Sequence, residues 1–142
     1  MQRFASILLV DRRGWLLLQE RDEHPVIDPD CWGFVGGHVE DGEDADDAAY
    51  RELVEETGLR LEPPALRLWR EFGVFHAAYD SVDSVRVYVA PTDATDAEVV
   101  VGEGRRIVFV DPREVTGLRL TQAARRIVPE FLASARYQEL IP

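Results

Sequence analysis

The chain has 142 residues, 46% hydrophobic and 30% charged, with 27 acidic side chains against 16 basic ones and a net charge of −11. That length suits one domain with a real hydrophobic core, and the composition is that of an ordinary globular protein. An acidic chain is poorly matched to the nucleic-acid backbone or to anionic membranes, so neither is expected as a partner, whereas an anionic small molecule stays compatible because bound metal reverses local charge. Cys31 is the single cysteine; it allows no intrachain disulfide and makes the reducing cytoplasm the expected compartment.

Phe4 to Val10 is an apolar run that reads as a strand; it is too short for a membrane span and has no cationic start or small-residue cleavage site. Asp11 to Gly14 is a turn, and Trp15 to Gln19 a second strand, so a hairpin is expected. Arg21 ends it. Asp22 to Asp30 is a polar, proline-bearing loop in which His24 reads as a solvated residue. Cys31 to Val35 is a short strand leading to Gly36-Gly37, a loop whose glycines free the backbone for close approach to a ligand.

The next stretch, to Leu59, reads as a helix capped by Asp44 and stopped by Gly58. Pro63-Pro64 breaks the chain. Leu66 to Ala77 is a strand with a bulge expected at Gly73, Asp80 to Asp83 a turn, and Ser84 to Ala90 its returning strand. Pro91 to Asp96 is a loop; Val99 to Val101 and Ile107 to Val110 read as strand pieces. Asp111-Pro112 opens a short helix. Thr121 to Tyr137 is an amphipathic helix with Ala124, Ile127, Val128, Phe131 and Leu132 on one face, kinked or split at Pro129. Strands and helices in this order give an α/β fold with a mixed sheet between helices.

The chemistry concentrates between Gly36 and Leu59, which hold nine acidic side chains and one basic one, Arg51. On a helix, Glu52, Glu55 and Glu56 fall within roughly 100° of arc, beside Ala45, Ala48 and Ala49, while Arg51, Asp47 and Val54 point elsewhere. Three like charges so placed repel, and small alanines let neighbouring backbone desolvate them. A divalent cation makes that arrangement favourable, and oxygen-only ligands suit Mg²⁺ or Mn²⁺ better than zinc.

These residues resemble the Nudix box, G-x5-E-x7-R-E-U-x-E-E-x-G-U with U aliphatic. Gly37, Glu43 and the run Arg51-Glu52-Leu53-Val54-Glu55-Glu56-Thr57-Gly58-Leu59 match every specified position,. Val35 stands where many members of the family have proline. The resemblance implies an α/β/α sandwich over residues 1–142. It implies metal-dependent hydrolysis of a phosphoanhydride, in a nucleoside triphosphate or in a nucleoside diphosphate linked to another group, as in MutT-like enzymes. It assigns Glu52, Glu55 and Glu56 as ligands of Mg²⁺ or Mn²⁺, with Glu55 or Glu56 doubling as general base and the Gly37 carbonyl facing the same metal. Arg51 is then the partner of Glu43, orienting the helix through a stiff bidentate bridge.

The family often adds a carboxylate from a later loop. Glu103, between Gly102 and Gly104, stands either as that metal ligand or base or as a solvated loop residue, with Glu98 a weaker choice. Arg21 and His38 are weak candidates for substrate contact. His76 and Tyr79 lie where a substrate-recognising loop could fall but read first as sheet-edge packing; Trp32, Trp69, Phe72 and Phe75 read as core, with stacking of a nucleobase at the pocket rim open to one of them. No secondary signature names the substrate, and a monomer or a homodimer is compatible. The alternative reading is a Nudix-fold nucleotide-binding or regulatory module without turnover. An isomerase of the isopentenyl-diphosphate type expects a catalytic cysteine with its own flanking motifs, which Cys31 lacks.

Overall fold

A computed structural model describes residues 1–142. Three strands form its spine: β1 (Arg3–Val10), β5 (Arg67–His76) and β6 (Ser81–Pro91). β1 runs parallel to β6, which pairs antiparallel with β5. The expected hairpin partner, β2 (Leu16–Glu20), touches β1 through one register pair, Val10↔Leu16. It then diverges to join β3 (Trp32–Gly33) and β7 (Arg106–Val110). The gap left along β1 is filled by β4 (Val35–His38), paired antiparallel from Phe4↔His38 to Ile7↔Val35. Seven strands thus make one mixed sheet that splits into a cleft between β2 and β4.

The split explains two departures from the sequence reading. The single strand expected over Cys31–Val35 is two strands, because the chain changes partner from β2 to β1 at Phe34. Gly36 and Gly37 lie within β4, not in a loop. Glycine is needed there: Gly36 has φ 143°, and a Cβ on it would run into the Ala5 carbonyl oxygen,.

Alternation along β1 sorts the core into two layers. Leu8 and Val10 face Phe72, Val87, Ile127 and Phe131 under α3 (Gln122–Leu132). Ala5, Ile7 and Leu9 face Ala45, Ala48, Ala49 and Leu53 of α1 (Ala45–Thr57). The alanines therefore pack α1 closely onto the sheet. The remaining helices are α2 (Pro112–Val115), N-capped by Asp111, and α4 (Ala135–Leu140), N-capped by Ser134. The arrangement is the expected α/β/α sandwich with a mixed sheet.

Other boundaries move for local reasons. The bulge in β5 lies between Leu68 and Arg70, not at Gly73, and Trp69 there packs 5.2 Å from the Phe131 ring. The turn after β5 spans 77–80, with Asp80 at φ 47°, so Asp83 sits inside β6 and is fully buried. Val99–Val101 forms no strand: the Val100 and Gly102 amides instead donate to the last carbonyls of α1, Thr57 and Glu56, at 2.9 and 2.8 Å. Pro129 is carried inside α3, held by the buried Val128 and Phe131, and the chain breaks at Ala133-Ser134 instead. Phe75, expected in the core, is 51% exposed on the β5–β6 hairpin. β5 has no strand beyond it; Arg126 of α3 donates to the Gly73 carbonyl there, and Arg70 pairs with Glu130 at 3.1 Å.

Candidate active site

The cleft holds a cavity of about 820 Å³, and the box glutamates Glu52, Glu55 and Glu56 line it together with Gly37 and Glu103. α1 is set by its ends. The Asp44 carboxylate accepts from the Asp46 amide, and Gly58 closes the helix in the left-handed conformation at φ 72°,. Glu52 and Glu56, one turn apart, are buried against β4 and β2, while the Glu55 side chain is 56% exposed.

Arg51 does not point away from the glutamates as helical spacing alone suggests. Its long side chain folds back along α1 and uses every donor it has. Nε and Nη2 donate to Glu43 at 2.8 and 2.9 Å, Nη1 to Glu52 and Glu55 at 3.1 Å each, and Nη2 to the His38 carbonyl at 3.1 Å. The bridge from Arg51, with the Glu40 amide, holds the Glu43 carboxyl down at about 2,. Arg51 thus bridges Glu43, Glu52 and Glu55, and no three carboxylates are gathered closely enough here to enclose an ion.

The electrostatics of the other two carboxylates run the opposite way. Burial pushes the Glu56 carboxyl up to about 7, reinforced by Glu103 and Glu52 and opposed by Gln19 and Arg21. Burial also raises Glu52, against the pull of Arg51. Glu103 reaches this group because the loop before it is docked on the end of α1. A Cβ on Gly102 would collide with the Glu55 carbonyl, so only glycine permits that approach.

Gln19, unremarked in the sequence, joins the two sides. Its Nε2 donates to Glu56 Oε2 and to the Glu103 carbonyl, both at 2.9 Å. The signal available was a polar residue at the end of the apolar run Leu16–Leu18. A Cβ on Gly37 would lie 2.6 Å from Glu52 Oε1, so the β4 backbone and that carboxylate face each other with no room for a side chain.

Arg21 lines the same cavity, its Nε buried without a partner. His38 lies on the rim, its ring 4.4 Å from Phe4 and its Nε2 3.5 Å from the Tyr79 hydroxyl. His24, on the exposed loop, also borders the cavity. Contrary to a packing role alone, His76 and Tyr79 line it too. Glu98 is elsewhere, receiving the Thr95 amide at 3.2 Å in a capping box. Cys31 is buried and does not line the cavity.

A family model described as the NUDIX domain matches residues 1–131. The chain belongs to the Nudix family. The stretch that resembles the Nudix box runs from Gly37 in β4 through α1 to Leu59. It is 42% identical over 75 residues to the m7GpppN-mRNA hydrolase NUDT17 of Xenopus laevis, covering 53% of this chain and 24% of that protein. It is 42% identical over 71 residues to dihydroneopterin triphosphate diphosphatase of Escherichia coli, covering 47% and 44%. The chain thus spans a quarter to under half of the length of these curated relatives. A solved MutT structure from a study of the Aliivibrio salmonicida and Vibrio cholerae proteins overlays with a TM-score of 0.72 at 22% identity, covering 93% of this chain and 97% of that one, a likeness of fold. No helix is long and apolar enough to cross a membrane.

The donor set fits a hard divalent cation. It is all oxygen, two of its carboxylates are buried beside each other, and their mutual repulsion is relieved by a counter-cation,.

Proposed function

We propose that this protein is a pyrophosphohydrolase dependent on Mg²⁺ or Mn²⁺, acting on a nucleoside triphosphate or on a nucleoside diphosphate linked to another group. The observation that carries the reading is the pair Glu52 and Glu56, buried and crowded by Glu103 within a cavity of about 820 Å³. Even with Arg51 on Glu52 and Gln19 on Glu56, two buried like charges side by side are costly, and a cation between them relieves that cost,. The names of the relatives, hydrolases of the mRNA cap and of a triphosphate, lend support to anhydride cleavage.

Glu52, Glu55, Glu56 and the Gly37 carbonyl would hold the metal, with Glu103 a further carboxylate. Bound there, the cation neutralises phosphate oxygens and acidifies water. Arg51, with all five donors engaged, keeps Glu43, Glu52 and Glu55 in fixed relation and has none left for substrate. Gln19 holds Glu56 and the Glu103 loop together. Glu55, Glu56 or Glu103 takes the proton of the attacking water as the new P–O bond forms and the anhydride P–O bond breaks. Arg21, the free guanidinium of the cavity, meets the phosphate chain.

The test is a panel of nucleotides and nucleotide conjugates with Mg²⁺ or Mn²⁺, products separated by chromatography. Chelation should abolish turnover and either ion should restore it. Full activity after exhaustive chelation refutes the metal assignment, and binding without turnover across the panel favours a regulatory module.

A further inference from the structure

The chain has three histidines, and all three border the same cavity, although they come from separate elements. His76 stands apart from the other two because it is built in. It is 5% exposed, and its Nδ1 lies 2.8 Å from the Asp83 carboxylate in a fully buried pair. Asp83 is itself fixed by the Ser81 hydroxyl at 2.6 Å and the Gln2 amide at 2.7 Å. A carboxylate only accepts, so the Nδ1 proton belongs to His76, and in that tautomer Nε2 is the ring nitrogen that accepts,. Nε2 has no partner within the protein and is not among the fully buried orphan atoms.

Beside it lies a cluster of aromatic rings tilted against one another. Phe4 sits between the two imidazoles, 4.4 Å from His38 and 5.4 Å from His76, and Tyr79 packs edge-on to His38 at 6.1 Å. Phe4 pairs with His38, the residue after Gly37, so this ring cluster runs from the end of β4 at the box to His76.

We propose that His76, oriented by Asp83, is a specificity-determining residue whose Nε2 accepts a hydrogen bond from an exocyclic amine on a heteroaromatic base resting against Phe4, His38 and Tyr79. The subsite reads an amino-bearing base such as adenine or guanine and disfavours hypoxanthine, which carries no amine. This rests on the hydrolase reading for the placement of the phosphates. Asp83 is a positioning residue, since it acts through the ring.

Two measurements separate this proposal from that reading. The first compares kcat/KM for ADP-ribose, GDP-mannose and inosine diphosphate ribose. The second compares calorimetric binding of AMP, GMP and IMP with Mg²⁺ present; none of these has an anhydride to cleave. Wild-type protein should favour at least one amino base over hypoxanthine by about tenfold, in KM or Kd rather than kcat, the size of one neutral hydrogen bond. His76→Phe keeps a flat ring without the acceptor and should abolish the preference, and His76→Gln, which retains an acceptor oxygen, should restore part of it. If no conjugate is hydrolysed but AMP or GMP still binds about tenfold tighter than IMP, the hydrolase reading fails and the subsite stands. Equal treatment of the bases by wild-type protein, a preference for hypoxanthine, no binding of any monophosphate, or discrimination surviving His76→Phe would each overturn the proposal. The wild-type comparison needs no variant, so a poorly folding His76→Phe leaves it decisive.

Discussion

A guanidinium has five N–H bonds, and Arg51 satisfies all five within the protein. That saturation divides the two sides of α1: carboxylates touching Arg51 are positioned, while Glu56 and Glu103 repel one another behind Gln19. Glu103→Gln keeps the shape and removes the charge, so turnover should fall by about 10² or more if this carboxylate takes the water proton. A change below threefold in steady-state rates returns it to an idle loop residue. Glu56→Gln should separate stability from function. Without metal it removes a buried charge from a like-charged group, and chemical denaturation in chelator should show a gain on the order of 1 kcal/mol. Turnover should collapse in the same variant. That Glu52, Glu55 and Glu56 line one cavity was legible because the box fixes their spacing; Glu103, outside the box, was open in the sequence between this cavity and solvent. Gln19 was not legible, since a strand-end glutamine has the same pattern whether it faces solvent or bridges two carboxylates.

At the scale of elements, the β5–β6 hairpin is held by one buried carboxylate. Burial alone would push the Asp83 carboxyl up, yet the hydrogen bonds from Ser81, the Gln2 amide and His76 bring it below its ordinary value. A carboxyl lowered on folding adds stability at pH above its unfolded value of about 3.9, and that contribution is lost as pH falls through the folded value. Urea midpoints of the wild type should therefore hold as this group stays ionised and drop on acidification below about pH 4. Asp83→Asn should be less stable near neutrality and show a shallower acid limb; an unchanged limb would remove Asp83 from the account. The sequence placed this residue in a turn, because Asp80 to Asp83 has turn composition and pairing register is a tertiary property. Hydrophobic runs did mark β1, β5, β6 and β7. What local pattern could not show was the splitting of the sheet, which moved Gly36 and Gly37 into β4, or the docking of Val100 and Gly102 on the end of α1.

For the whole molecule, metal and fold are linked. An ion bound by the folded site and not by the unfolded chain raises the melting temperature by mass action, so Mg²⁺ should stabilise the wild type and do so less in Glu56→Gln. An equal shift in both proteins would remove Glu56 from the ligand set. The contact between Arg126 and the Gly73 carbonyl bears on a different hazard. β5 spans ten residues with no strand beyond it and presents Phe75 and, opposite it on β6, Val82 to solvent. Such an edge is a template on which a second chain can polymerise. A guanidinium parked on a central carbonyl interrupts that template, and the Arg70–Glu130 pair fastens the same helix a few residues away. Arg126→Ala should leave melting within about 0.5 kcal/mol of wild type, as surface changes do, yet scatter light at concentrations where the parent solution stays clear. On this view α3 keeps the protein colloidally stable as well as folded, a duty carried by a residue far from the phosphate chemistry.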